Sequence, residues 1–120
     1  MSKINSHKDL KVWQESMDFV VEIYKLLEQF PDEEKFILTN QIKRAAISIP
    51  SNIAEGAGRD SNQEFFRFLS ISQGSLSELE TQLEIAEKLK YITLNDEIKK
   101  QIIFIRIMLT NLKKSLINKK

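Results

Sequence analysis

Five polar residues in the middle of the chain are spaced so that they share one face of a helix. They are separated by 4, 4, 3 and 4 positions, and they are Arg44, Ser48, Asn52, Glu55 and Arg59. They fall on one face only if the helix continues through Pro50. This polar stripe adjoins a run of apolar residues, which indicates an interface and not simple solvent exposure, because polar groups at helix interfaces normally satisfy one another.

Three interpretations of the polar stripe stay open. In the first, an arginine pairs with Glu55, while Ser48 and Asn52 tie helices or subunits together. In the second, basic side chains contact the phosphate backbone of a nucleic acid; the candidates are Lys43, Arg44, Arg59 and Arg67. In the third, Glu55 is an acid–base catalyst. Such a catalyst needs a histidine or a second acid beside it, and we therefore predict no catalytic residue.

Other chemistry is sparse in this sequence. There is no cysteine, which excludes a disulfide framework, a thiolate metal site and a cysteine nucleophile. His7 is the single histidine and lies near the N-terminus. The chain has no HExxH motif, no phosphate-binding glycine loop and no Glu-x-x-His pair of the di-iron type. We expect a protein that is not an enzyme and that uses neither a metal nor a cofactor.

Composition favours a single globular domain over residues 1–120, built from long helices. The chain is 42% hydrophobic and 29% charged, with three glycines, two prolines and a net charge of +1. The N-terminal residues lack the apolar core of a signal peptide. No stretch approaches the roughly 18 apolar residues of a membrane span. We expect a cytoplasmic protein that does not enter the membrane.

Apolar periodicity predicts an all-α, up-and-down antiparallel four-helix bundle. The predicted helices cover about 8–29, 33–56, 61–90 and 95–117. We expect the second helix to be kinked near Pro50, with a break into two helices as the second choice. It should end at Gly56-Ala57-Gly58, which supply left-handed backbone positions. Ser61 and Glu64 predict a capping box at the start of the third helix, and Asn95 an N-cap for the fourth.

Two helices carry features that bear on packing. The predicted core stripe of the first helix consists of Leu10, Trp13, Met17, Val20, Tyr24 and Leu27. Gly74 lies in the middle of the third helix, where glycine costs about 1 kcal/mol relative to alanine. We interpret Gly74 as a point of close approach, either within the bundle or between subunits.

One stretch of the sequence resembles a known family. Residues 41–83, QIKRAAISIPSNIAEGAGRDSNQEFFRFLSISQGSLSELETQL, are similar to four-helix bundle proteins encoded within intervening sequences of bacterial large-subunit ribosomal RNA genes. The opening DLKVWQESMDFVVEIYKL and the FPDEEKFIL junction resemble that family too. The chain is also similar to the accessory protein of diversity-generating retroelements.

The resemblance implies a homopentamer whose basic surface binds RNA or DNA and a protein partner such as a reverse transcriptase. Lys43, Arg44 and Arg59 are the positions that it indicates for contacts with a polyanion. Lys43 stands where the family often has arginine, which keeps the charge but loses the planar fork of donors.

Three functional hypotheses follow. The first is a homo-oligomeric binding module for RNA or for a nucleic-acid-associated protein. The second is an assembly scaffold whose polar stripe, together with Gly74, serves only subunit packing. The third is an enzyme or small-ligand carrier, which would need a pocket lined by polar groups inside the bundle.

Overall fold

Four α-helices build the molecule, which is a computed structural model that describes residues 6–34 and 37–117. They are α1 Lys11–Leu27, α2 Leu38–Ala57, α3 Asn62–Lys88 and α4 Asp96–Ile117, and short 3-10 turns occupy His7–Asp9 and Asp32–Glu34. The described residues form no strand. None of the described helices is long and apolar enough to cross a bilayer.

Contacts between helices show that the bundle is antiparallel. Early residues of α2 meet late residues of α3, since Gln41 bonds Gln82, and later residues of α2 meet earlier ones of α3, since Ser48 bonds Ser75. Helices α3 and α4 are reversed in the same way, and α1 packs against both α2 and α4. The predicted all-α antiparallel four-helix bundle is confirmed.

The first helix buries a different stripe from the one predicted. Its buried residues are Val12, Ser16, Phe19, Ile23, Leu26 and Leu27, whereas Met17 and Tyr24 are 42% and 37% exposed. Trp13 and Val20 are only partly buried at the edge of the core. Two neighbouring stripes of α1 both satisfy the three-and-four spacing of a helix, so the periodicity alone did not identify the buried one.

The second helix is continuous across Pro50, which is itself buried, so a break into two helices does not occur. It begins at Leu38, later than the predicted start near Glu33, and residues 35–36 lie outside the described part of the chain. Asp32–Glu34 instead form a 3-10 turn directly after Pro31. The residue before Leu38 provides no side-chain cap, so the sequence carries no signal for this start.

The turn between α2 and α3 does not use left-handed glycines, which corrects the prediction. Gly58 has φ −83° and ψ −4°, and none of the glycines has a positive φ. The α3 helix then starts as predicted at the Ser61 cap, where the Ser61 hydroxyl oxygen accepts a hydrogen bond from the Glu64 backbone N–H at 3.0 Å. Asn95 likewise caps α4, since its Oδ1 accepts a hydrogen bond from the Ile98 backbone N–H at 2.8 Å.

The close approach of two helices occurs at Gly56 and not at Gly74. A Cβ atom added to Gly56 would lie 2.7 Å from the Cβ of Phe68 and 3.0 Å from the Cδ1 of Phe65. A Cβ added to Gly74 would meet no atom within 4 Å. The prediction that Gly74 permits close packing inside the bundle is therefore wrong, because Gly74 faces outward from α3.

Substitution by alanine should have opposite effects on the stability of the protein at these two glycines. Gly56→Ala should destabilise the protein by about 1–3 kcal/mol, since α2 and α3 must separate or repack to admit the methyl group. Gly74→Ala should stabilise it by roughly 0.5–1 kcal/mol, because alanine has the better helix propensity and nothing obstructs its Cβ. Urea unfolding followed by circular dichroism measures both values. Equal effects of the two substitutions would contradict the packing described here.

Candidate functional site

The centre of the polar stripe is a hydrogen-bond network between α2 and α3 of the same chain. The Ser48 and Ser75 hydroxyl oxygens are 2.7 Å apart. The Asn52 Nδ2 donates to both the carbonyl and the hydroxyl oxygen of Ser48, each at 2.9 Å. Ser48 and Asn52 are half-buried, and Ser75 is buried. Of the two residues predicted to tie helices together, Ser48 bonds Ser75 of α3, whereas Asn52 bonds only Ser48 of its own helix.

A second bond lies beneath this network, next to Pro50. The Ser72 hydroxyl is fully buried and donates to the Ile49 carbonyl oxygen at 2.9 Å. This bond gives the hydroxyl a partner in an apolar environment, where an unpaired hydroxyl would destabilise the fold. In the sequence, Ser72 lies in a row with Leu69, Leu76 and Leu79 at helical spacing, and a serine among these leucines is the signal of its role.

At the far end of the stripe, two arginines lie against one aromatic ring. The guanidinium carbon of Arg59 is 4.9 Å from the centre of the Phe68 ring, and that of Arg67 is 4.6 Å from it. Arg59 also donates through Nη2 to Glu55 at 2.9 Å, and Arg67 donates through Nη2 to Glu64 at 3.2 Å. We call these five residues the arginine–Phe68 cluster.

Gly56 makes this cluster possible. Its missing side chain lets the backbone of α2 approach the Cβ of Phe68, and that contact fixes the ring between the two helix ends. Arg59 then reaches the ring from just beyond α2, and Arg67 reaches it from the preceding position on α3. Ser61 caps α3 and so fixes the residue at which the helix begins. Arg67 and Phe68 lie in its second turn, close to the α2–α3 connection that carries Arg59.

The ion pairs of the cluster are exposed and leave the arginines accessible. The side chains of Arg59 and Arg67 are 44% and 57% exposed. Exposed pairs of this kind contribute about 0–1 kcal/mol, so the carboxylates hold the guanidinium groups only weakly. An arginine has five N–H donors, and each arginine shows a single bond from one Nη2 atom. The cluster can therefore accept an anion without a large rearrangement.

Lys43 and Arg44 lie away from the cluster, near the other end of α2. Arg44 and Arg59 are 15 positions apart, which corresponds to about 22 Å along a helix. Arg44 is exposed and makes no ion pair with any described residue. The Lys43 ammonium lies 5.0 Å from the centre of the Tyr24 ring on α1. The four predicted basic contacts thus form two separate pairs.

The surroundings of Lys43 are not those of a phosphate site. It lines an open cleft of about 480 Å³ at the junction of α1 and α2. The carboxylates of Glu28 and Asp32 line the same cleft, and they would repel a polyanion. Carboxylates also lie beside Arg59 and Arg67, but Lys43 lacks the planar fork of donors of an arginine, so it has the weakest structural support of the four candidates.

Glu55 is the one residue that was considered for catalysis, and no residue was predicted to bind a metal. Glu55 is exposed and paired with Arg59. Among the described residues, no group of three histidine, cysteine, aspartate or glutamate side chains could hold a metal ion. The centre of the bundle is filled by fully buried apolar side chains: Phe19, Ile23, Ile42, Ile49, Ile53, Leu69, Leu76, Leu79, Leu83, Ile105 and Leu109. A carrier that uses the bundle interior has no support in this packing.

Known proteins share the sequence pattern and the fold of this chain. The sequence profile of the family described as 23S rRNA-intervening sequence protein matches residues 8–111. The chain belongs to this family.

The fold of this family member is also found in a solved structure. That structure is described as a protein with unknown function from the S23 ribosomal protein family of Bacteroides thetaiotaomicron VPI-5482. It is 32% identical in sequence, has a TM-score of 0.63, and the match covers 88% of this chain and 94% of that one. A search of curated proteins gives no match. Family membership supplies the fold but no biochemical activity.

The serine network of this family member allows a direct test of its role. Ser75→Ala should destabilise the protein by about 0.5–1.5 kcal/mol, since Ser48 loses a half-buried partner. The double variant Ser48→Ala/Ser75→Ala should cost less than the sum of the two single changes, because both single changes remove the same bond between the two hydroxyls. Ser48→Ala also removes the bond that its hydroxyl accepts from Asn52, and this loss is the same with or without Ser75. Chemical unfolding of the four proteins in the cycle measures the coupling. Strict additivity would show that the two hydroxyls do not interact.

Proposed function

We propose that this protein is a non-enzymatic binding module that assembles with copies of itself and contacts the backbone of RNA. The observation that carries the proposal is the arginine–Phe68 cluster, in which the guanidinium carbons of two exposed arginines, Arg59 and Arg67, lie 4.9 Å and 4.6 Å from the centre of the same ring. Arginine suits such contacts because its planar fork of donors matches the oxygens of a phosphate.

Contact with Phe68 favours this function. It keeps both guanidinium groups near one ring before binding, so that less side-chain freedom is lost when a phosphate arrives. Each arginine also has N–H donors beyond the one that it uses for Glu55 or Glu64. Arg44 would add a more distant contact along α2, and Lys43 at most a minor one.

Self-association compensates for the small charge of each chain. The net charge is only +1, and two carboxylates lie within the cluster, so a single copy would bind RNA weakly. A symmetric assembly repeats the cluster, and linked weak contacts then add to a stronger one. Exposed apolar side chains support such an assembly, since patches of this kind mark interaction sites.

The resemblance noted from the sequence adds finer proposals. It suggests five copies in the assembly, a cytoplasmic location, DNA as a further ligand and a protein partner such as a reverse transcriptase. Each of these stays a prediction, as does the similarity to the retroelement accessory protein.

An assembly scaffold without a nucleic-acid ligand is the second candidate. It is favoured by the internal pairing of the polar stripe, because Ser48, Asn52, Glu55 and Arg59 all have partners within the chain. In this case the arginines would only fasten α2 to α3, and Gly74 and Arg44 would be available to a neighbouring subunit.

Binding of RNA across a salt series separates the two candidates. The unmodified protein should bind a labelled structured RNA, and its affinity should fall steeply as salt rises, because phosphate contacts release counterions. The variant Arg59→Ala/Arg67→Ala should bind at least about tenfold more weakly at low salt and show a shallower salt dependence. Fluorescence anisotropy measures both quantities.

A charge-matched variant provides the control. Lys88→Ala/Lys99→Ala removes two exposed positive charges at the α3–α4 groove, away from the cluster, and should retain most of the affinity. If both double variants lose affinity equally, net charge is responsible and not the cluster. If the unmodified protein does not bind RNA at low salt, the scaffold is the better account.

A further inference from the structure

A surface cleft between the end of α1 and the start of α2 contains a buried polar group without a partner. The cleft has a volume of about 480 Å³, and Thr39 forms part of its lining. Thr39 is only 5% exposed, and its hydroxyl oxygen has no hydrogen-bond partner in the described part of the chain. An unpaired buried hydroxyl is unfavourable. Its position in the wall of a cleft therefore indicates a ligand that accepts a hydrogen bond.

The first turn of α2 places further donors beside the Thr39 hydroxyl. The first N–H groups of a helix have no partner within that helix, and in α2 they include those of Leu38, Thr39 and Asn40. Ile37 precedes them and supplies no side-chain cap. Threonine in a helix uses two χ1 rotamers, so the Thr39 hydroxyl can turn toward a group in the cleft. Together with the positive end of the helix dipole, these donors favour a carboxylate.

Lys43 adds a full positive charge to the same wall of the cleft. It follows Thr39 by four positions, which places both side chains on one side of α2, and both line the cleft. Lys43 is half-buried, and its ammonium lies 5.0 Å from the centre of the Tyr24 ring. The wall of the cleft that α2 forms is therefore positive.

The wall formed by α1 and the turn after it is negative. Leu27 is the last residue of α1 and lines the cleft, so the cleft meets the negative end of that helix dipole. The exposed residues Glu28 and Asp32 line the cleft as well and bring two carboxylates to it. Tyr24 and Phe30 add aromatic surface to the lining. The cleft thus has opposite charges on its two walls and apolar surface as part of its lining.

The charges of the two walls do not pair with each other. Glu28 and Lys43 make no ion pair with one another or with any other described residue. A ligand with only a negative charge would be repelled by the carboxylates, and one with only a positive charge would be repelled by Lys43. A ligand that carries both charges finds an opposite charge on each wall.

We propose that this cleft binds a small zwitterion of the amino acid class. The carboxylate of the ligand accepts hydrogen bonds from the Thr39 hydroxyl and from the first N–H groups of α2, beside Lys43. The ammonium group of the ligand lies toward Glu28 and Asp32, and its methylene groups contact the Tyr24 ring. The site lies at the opposite end of α2 from the arginine–Phe68 cluster, and its occupation does not depend on RNA binding.

Titration with amino acids that differ in the distance between their charges tests the site. The probes are glycine, γ-aminobutyrate and ε-aminocaproate. At least one probe should shift the backbone N–H signals of residues 38–40 saturably in proton–nitrogen correlation spectra. It should also bind at least about tenfold more tightly than the amine or the carboxylate of the same length, since each lacks one charge-assisted hydrogen bond. Saturation by none of the probes, or equally tight binding of the amine or the carboxylate, would overturn the proposal.

A pair of hydroxyl deletions tests the role of Thr39. Thr39→Val keeps the shape of the side chain and removes the hydroxyl, so the tightest-binding probe should bind at least about tenfold more weakly. Ser16→Ala is the control, because it removes another buried hydroxyl without a hydrogen-bond partner, one that is fully buried on α1. It should leave the affinity unchanged. Equal affinities of the two variants for the probe would contradict the contact with Thr39.

Removal of one charge from each wall tests the zwitterion directly. Lys43→Met should weaken binding of the probe by about tenfold, because the half-buried ammonium is little screened by water. Glu28→Gln should weaken it by about threefold, because this carboxylate is exposed. The matched controls are Lys25→Met and Glu22→Gln, which alter an exposed ion pair of α1 outside the cleft and should bind the probe as the parent does. Parental affinity in both Lys43→Met and Glu28→Gln would overturn the proposal.

Discussion

The contact between Gly56 and Phe68 is the constraint on which the surface of the α2–α3 hairpin depends. Only a hydrogen atom separates the α2 backbone from the Cβ of Phe68 at this point. This close approach brings the end of α2 onto the start of α3, and the remaining pairs follow along the hairpin: Ser72 to Ile49, Ser75 to Ser48 and Gln82 to Gln41. Helices α2 and α3 therefore form the most tightly joined pair in the bundle.

That pairing explains why polar residues lie next to the core. Ser48 bonds Ser75 across the two helices, and Asn52 bonds Ser48 from one turn further along α2. Next to the close approach at Gly56, where α2 ends and α3 begins, Arg59 and Arg67 contact the ring of Phe68. The polar stripe thus has two parts. Small hydrogen-bonding side chains such as Ser48 and Asn52 lie along its length, and the exposed Arg59 lies at its end. The first part stabilises the hairpin, and the second part is available to a ligand.

Much of this architecture follows from the sequence, and the exceptions have physical causes. The number and order of the four helices were predicted because apolar residues recur at helical spacing in each. The caps at Ser61 and Asn95 were predicted because their side chains act only locally. The stripe of α1 was misassigned because Met17 and Tyr24 continue an apolar pattern that the fold leaves exposed. The sequence does not distinguish the packing of Gly56 from that of Gly74, although only Gly56 faces another helix. Their difference depends on tertiary contacts, which periodicity does not contain.

Arg59, Arg67 and Glu55 of the cluster were named from the sequence as candidate site residues, whereas Phe68 and Glu64 were not. Arg59 and Glu55 pair as their spacing suggests, whereas the role of Phe68 needs the fold, since the ring belongs to α3 and meets a residue beyond α2. The distance between Arg44 and Arg59 could be predicted from the rise of a helix alone. The acidic surroundings of Lys43 could not be predicted, because the carboxylates come from the end of α1 and from the turn that follows it.

The most direct test of this account is hydrogen–deuterium exchange with and without a structured RNA, read out by mass spectrometry. The first amides of α3 lack helical partners and lie beside the arginine–Phe68 cluster, so they report on binding there. The account predicts slower exchange in peptides that cover residues 58–68 when RNA is bound, with little change over residues 100–114. Protection confined to α4, or RNA binding without protection at the α2–α3 connection, would contradict it.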